Sequence, residues 1–292
     1  MPETIDRLAD ISSRYDALLV DLWGCLHNGI APFADAVSAL RACRSQGRFV
    51  MLLTNSPRPR PAVRSQLDRI GVPRDCYDDI TASGDASRAA MAAGLAGTKV
   101  YHLGPAKDES LFDDLEDGID VSQIRRVPLE QAEGIVCTGL FDDRSETPED
   151  YRATLLYAKT RGMKLLCTNP DIQVDYGDRR IWCAGAIAAL YTEMGGESLY
   201  FGKPYPPIYQ MARNRISKAG RAVPDDRILA IGDGIRTDIL GGLNEGFDTL
   251  FVTGGLAAGR FGPDPERPDP KALDDFFAAE QVTPTCVIPA LR

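Results

Sequence analysis

Four polar residues stand out because each follows, or closely flanks, a short apolar run. They are Asp21 after Leu18-Leu-Val20, Thr54 after Phe49-Val-Met-Leu-Leu53, Lys203 within Phe201-Gly-Lys-Pro204, and Asp233 shortly after Arg227-Ile-Leu-Ala-Ile231. Together these residue types support phosphoryl transfer. A carboxylate that attacks phosphorus forms an aspartyl-phosphate and divides one hard displacement into two easier ones. The attack brings anions together, so a divalent cation must shield them, and magnesium prefers oxygen ligands with one or two carboxylates and several waters. Asp21 and Asp233 are the candidate carboxylates, with Asp238, at a helix start beside them, as a third or outer ligand. The Thr54 hydroxyl and the Asn55 backbone N–H suit phosphate oxygens, and Lys203 suits the charge that stabilises a transferring phosphoryl group. Singly these signals are ordinary: Gly-Asp-Gly is a common turn, Thr-Asn a common strand exit and Lys-Pro a common helix approach.

Such residues act together only if their apolar runs are strands of one parallel sheet. In open α/β sheets, ligands bind outside the carboxyl ends of the strands, where strand order reverses. Leu18–Val20 reads as a buried parallel strand, after which Gly24 and Gly29 let the backbone turn. Ala36, Val37, Leu40 and Cys43 then share one helical face, Phe49–Leu53 is a second strand, and Val63, Leu67 and Ile70 mark a second helix. This is β-α-β-α, the pattern of a right-handed parallel unit. Further strands are predicted near Lys99–Leu103, Gly134–Thr138, Met163–Cys167, Arg227–Ile231, Asp248–Val252 and Cys286–Ile288. A glycine-broken helix is predicted over about 184–194. The expected architecture is one α/β domain, residues 1–84 and 198–292, interrupted by a second over 85–197. Thr168-Asn-Pro-Asp171 echoes Thr54-Asn55, and only one of the two can be the phosphate element.

Composition narrows the setting. With 44% hydrophobic and 26% charged residues, the 292-residue chain reads as soluble and globular, with length enough for one large or two modest domains. A formal net charge of −9 argues against nucleic acid held by a broad basic surface, while a small anionic substrate needs only a local site. The seven cysteines include no C-x-x-C pair, which suits reduced thiols in a cytoplasmic protein, and two histidines leave little for a zinc site. Residues 1–16 hold Glu3, Asp6, Arg7 and Asp10 with no apolar core, so no signal peptide is expected. The apolar stretch Ile181–Tyr191 is too short for a bilayer, so no membrane partner is expected.

In this order the four motifs resemble those of the haloacid dehalogenase-like (HAD) superfamily of aspartyl-phosphate hydrolases. Gly202-Lys-Pro-Tyr-Pro-Pro-Ile208, Gly232-Asp-Gly-Ile-Arg-Thr-Asp238 and the insert between the second and third motifs look like subclass IIA, the branch of nitrophenyl-phosphatase and phosphoglycolate phosphatase. The resemblance implies an α/β, Rossmann-like parallel-sheet core with an inserted α/β C2-type cap. It further implies magnesium as cofactor, a small phosphorylated metabolite as substrate, and a homodimer through the cap. Thr54-Asn55 is then the phosphate motif and Thr168-Asn169 a cap element. Asp21 becomes the nucleophile, Lys203 a catalytic and phosphate-binding residue, and Asp21, Asp233, Asp238 and the backbone carbonyl of Trp23 the metal set.

One departure matters. Most of these phosphatases carry a second Asp, the general acid, two residues after the nucleophile; here that position is Trp23, whose indole donates a hydrogen bond but transfers no proton at neutral pH. The resemblance is to a subgroup with a bulky residue there. His27 is the nearby candidate for a substitute acid, or else a turn residue bonded to backbone. Asp171 is a candidate substrate contact from the cap, or else part of an N-P-D turn. Two functions follow: a magnesium-dependent phosphatase, or a catalytically weak phospho-ligand binding protein of the same fold.

Overall fold

A computed structural model describes residues 2–113, 115, 118–176 and 179–292. In chain order its first strands are β1 Glu3–Thr4, β2 Ala17–Val20, β3 Phe49–Thr54, β4 Asp79–Ala82, β5 Lys99–Leu103, β6 Arg125–Arg126 and β7 Gly134–Cys137. There follow β8 Lys164–Cys167, β9 Gln173–Tyr176, β10 Arg179–Trp182, β11 Glu197–Tyr200, β12 Ile228–Gly232, β13 Asp248–Val252 and β14 Cys286–Ile288. The chain is α/β, and it divides into two compact units. One takes the residues up to Thr54 with Arg64–Thr81 and Tyr209–Arg292; the other takes Asn55–Val63 and Ala82–Ile208.

The first unit is built on a seven-stranded sheet in the order β1-β14-β13-β12-β2-β3-β4. The pairings of β12 with β13 and β2, and of β2 with β3, are parallel. Every residue of β2 is buried, as a central strand covered on both faces requires. From β2 the chain steps outward through β3 and β4; from β12 it steps the other way through β13 and β14. The switch in direction therefore lies between β2 and β12, the position at which open parallel sheets leave a crevice. Register sets what reaches that crevice. Val20 pairs with Ile231 on one side and Leu52 on the other, so Asp21, Asp233 and Thr54 all leave the sheet within two residues of one level.

The helix Ala34–Ser45 buries Ala36, Val37, Leu40 and Cys43, the face expected from their spacing. Beyond β12, residues Ile235–Ile239 form one wide turn, closed by the Ile239 N–H donating to Gly234 O at 3.1 Å, that runs into the helix Leu240–Asn244. Ile235 and Ile239, four apart on that turn, pack into a cluster with Phe251, Phe261, Phe276 and Phe277. The last two come from the helix Pro270–Glu280, whose first turn is capped by the Asp269 carboxylate accepting from Ala272 N–H at 2.8 Å. Burial of these rings thus fixes the segment that follows Asp233.

The second unit holds a five-stranded parallel sheet, β11-β8-β7-β5-β6, and an antiparallel hairpin of β9 and β10. The helix Ala184–Glu193 buries residues on every side, and Gly185 permits this, since a Cβ there would lie 2.2 Å from Pro170 O. The hairpin is absent from the sequence reading because Gln173–Tyr176 and Arg179–Trp182 carry too many polar residues to show a strand pattern. Among the described residues no helix is long and apolar enough to cross a membrane.

The aromatic cluster gives the first prediction. Phe251 is fully buried, with its ring 5.8–6.2 Å from those of Phe261, Phe276 and Phe277. Phe251→Ala should cost about 3–5 kcal/mol of stability, read from urea unfolding. A loss below about 1 kcal/mol would mean that the rings do not anchor this half of the sheet.

Candidate active site

Asp21 is the first residue past β2, and its backbone N–H donates to Ile231 O at 2.9 Å, extending the β2–β12 ladder by one bond. That bond sets its Cα beside the exit of β12, where Asp233 follows two residues later. The oxygens of Asp21 and Asp233 and the sulfur of Cys25 all lie within 4.8 Å of one another. Asp21 and Cys25 are buried and Asp233 is half-buried. Asp233 Oδ2 accepts from Leu256 N–H at 2.8 Å, which ties this carboxylate to the loop after β13.

Two glycines make the approach feasible. Gly24 has φ +74°, and a Cβ there would lie 2.0 Å from Asp233 Oδ2. A Cβ on Gly255 would lie 2.2 Å from the same oxygen. Gly24 also lets the chain double back after Trp23, closed by Gly24 N–H donating to His27 O at 3.0 Å and Leu26 N–H to Leu22 O at 2.9 Å. That reversal returns Cys25 to the Asp21 side. Sequence reasoning missed Cys25; its signal was position, four residues after the carboxylate with a turn glycine between.

Asp238 is buried but is not part of this group of three. Its Oδ2 accepts from Gly234 N–H at 3.1 Å, and a Cβ on Gly232 would sit 2.0 Å from its Cγ. It braces the Gly-Asp-Gly turn that carries Asp233. Thr54, the last residue of β3, is buried at the same edge of the sheet.

The half-buried Trp23 ring lies against the backbone of Gly29, where a Cβ would be 2.4 Å from the indole. It meets His27 edge to face, with centroids 5.2 Å apart. His27 is fully buried; its Nδ1 accepts from Gly29 N–H at 2.9 Å, which places the ring proton on Nε2, an atom with no hydrogen-bond partner among the described residues. Burial pushes its pKa down to about 4. At neutral pH this imidazole is a neutral turn residue. His102 is likewise neutral, its pKa lowered by burial to about 4, with Nε2 2.9 Å from Thr138 Oγ1.

The second unit contains a clasp around Lys203. Lys203 N–H donates to Asn55 Oδ1 at 2.7 Å, and Asn55 Nδ2 donates back to Lys203 O at 3.1 Å. The same Nδ2 donates to Asp171 Oδ1 at 2.9 Å. Gly202 makes room, since a Cβ there would meet Asn55 Oδ1 at 2.4 Å. Lys203, 2% exposed, is therefore fixed through its backbone, and Asp171 braces the amide that fixes it. Thr168, the echo of Thr54, donates its hydroxyl to Cys137 O at 2.9 Å, and Asn169 Oδ1 accepts from Asp171 N–H at 3.0 Å.

A family model for haloacid dehalogenase-like hydrolases matches residues 18–116, and a HAD-hydrolase-like model matches residues 200–279. A crystal structure of a haloacid dehalogenase-like family hydrolase from Brucella suis is 40% identical, over 99% of this chain and 100% of that one, with a TM-score of 0.85. The chain belongs to the haloacid dehalogenase-like hydrolase family. Among curated proteins it is 26% identical to the 5'-nucleotidase YutF of Bacillus subtilis over 244 residues, 83% of this chain and 88% of that one. It is 26% identical to the acid sugar phosphatase of Staphylococcus saprophyticus over 247 residues, again 83% and 88%.

The buried imidazole gives a pH prediction. In the unfolded chain His27 takes its proton near pH 6.5, in the folded chain only near about 4. Its contribution is therefore fully present above pH 6.5 and is lost as pH falls toward about 4, by about 3 kcal/mol in all. His27→Gln keeps an acceptor for Gly29 N–H and does not titrate. Between pH 7 and 4 the variant should gain on the wild type by about that amount in denaturant unfolding. A pH-independent difference would show that the ring is not buried neutral.

Proposed function

We propose that this chain is a magnesium-dependent phosphatase that hydrolyses a small phosphorylated metabolite through an aspartyl-phosphate on Asp21. The observation that carries the reading is the approach of Asp21 and Asp233 at the switch between neighbouring strands, in a member of this hydrolase family. Two carboxylates this close fit a hard dication, and Gly24 and Gly255 leave the space beside Asp233 that a Cβ would fill. Asp21, Asp233 and the Trp23 carbonyl would hold the ion, with Asp238 as an outer support through the Gly234 turn. When bound, magnesium supplies charge neutralisation between the carboxylate and the phosphate.

The chain's own residues do the rest. Asp21 attacks phosphorus and carries the phosphoryl group until water removes it. The Thr54 hydroxyl and the Asn55 N–H hold phosphate oxygens, and Lys203 stabilises the charge that develops on them. The Asn55 side chain positions Lys203, and Asp171 holds that side chain in turn. In this reading residues 85–197 form the C2-type cap that selects the substrate. The 5'-nucleotidase and acid sugar phosphatase relatives support a nucleoside monophosphate or a sugar phosphate as the class.

A second reading, a weakly catalytic phospho-ligand binder, is favoured by Trp23, which occupies the place of the proton donor and whose neighbour His27 is neutral. The two readings part on turnover. With magnesium and a panel of phosphorylated metabolites, the wild type should release phosphate and Asp21→Asn should not; tight binding without release would favour the binder. General acid catalysis is worth about 10²–10⁴ in rate and matters most for poor leaving groups. Aryl and acyl phosphates should therefore outrun alkyl esters steeply in the wild type and equally so in His27→Gln. A flat series in the wild type that becomes steep in His27→Gln would make the histidine the acid after all.

A further inference from the structure

We infer that Cys25 is a third protein ligand at the Asp21–Asp233 position, so that this position also takes a thiophilic divalent cation of the zinc class, in competition with magnesium. The inference uses the two carboxylates of the proposed magnesium site but does not need that site to be catalytic. It stands on the sulfur. Among the described residues, the cluster of three or more His, Cys, Asp or Glu side chains with ligand atoms within 4.8 Å of one another is Asp21, Cys25 and Asp233.

Geometry and chemistry agree. A tetrahedral ion with bonds of about 2.0–2.3 Å holds its ligand atoms about 3–4 Å apart. Atoms already within 4.8 Å need to close by about 1 Å. Cys25 is 1% exposed, and the hydrogen-bonded reversal of residues 22–27 fixes its backbone. One thiolate among two carboxylates discriminates strongly: sulfur binds zinc, cobalt or cadmium well and magnesium poorly. On binding, the Cys25 S–H bond breaks, its proton passes to solvent and an S–metal bond forms, with nothing oxidised or reduced. A buried cysteine that served only as a small apolar side chain would do none of this.

The test is cadmium added to the metal-stripped full chain, read by the ultraviolet thiolate-to-metal absorption band. One equivalent should generate the band, Cys25→Ser should lose it while keeping the other six cysteines, and excess magnesium should diminish it. Because Cys25→Ser replaces a buried side chain, Asp233→Asn serves as a second variant. It keeps the thiol and should weaken cadmium binding by about 10-fold or more. No band in the wild type, or an undiminished band in Cys25→Ser, overturns the inference. Magnesium-dependent phosphate release, measured on the same preparation, separates it from the phosphatase reading. Release without a band removes the sulfur ligand alone; a band without release supports it and removes only the catalysis.

Discussion

The structure of the site depends on holding two like charges together. Ionised carboxylates within 4.8 Å repel by about 3 kcal/mol at an effective dielectric constant near 20, a large share of a domain's net stability. What holds them is backbone. Asp21 is tied by its N–H to Ile231 O in the β2–β12 ladder, and the turn carrying Asp233 is braced by Asp238 below and by the loop at Leu256 above. Behind that turn, Ile235 and Ile239 are buried in the phenylalanine cluster. Folding energy from the sheet and the aromatic core is thus used to keep an unfavourable pair in place.

The loop after Asp21 sets the chemistry around that pair. Gly24 allows the reversal, Gly29 leaves room for the Trp23 ring beside its backbone, and His27 closes the loop with a neutral imidazole. The result is a loop that packs the Trp23 ring against Gly29 and His27 and brings the Cys25 thiol to Asp21 and Asp233. It also gives the site a soft donor that a purely oxygen-ligated magnesium centre lacks.

Much of this was legible in the chain. Fully apolar runs ending in Asp21, Thr54 and Asp233 announced strands of a buried parallel sheet, and their residue types announced phosphoryl chemistry. Periodicity placed the Ala34–Ser45 helix and its buried face. What sequence could not show is contact created by backbone reversal or by distant partners. Cys25 reaches the carboxylates only because Gly24 adopts a positive φ, and no spacing rule encodes that. The sequence offered the Asn55 backbone N–H as a phosphate contact but gave no sign that its side-chain amide pairs with the backbone of Lys203, 148 residues away. The β9–β10 hairpin escaped because its strands are only four residues long and half polar; they pair antiparallel with each other.

The most direct measurement is magnesium titration calorimetry on the wild type and on Asp233→Asn, with melting of both in the absence of metal. If the two carboxylates share an ion, the variant should bind magnesium about 10–100-fold more weakly, and without metal it should melt at a higher temperature because the repulsion is gone. An unchanged magnesium affinity in Asp233→Asn would contradict a shared site at the strand switch.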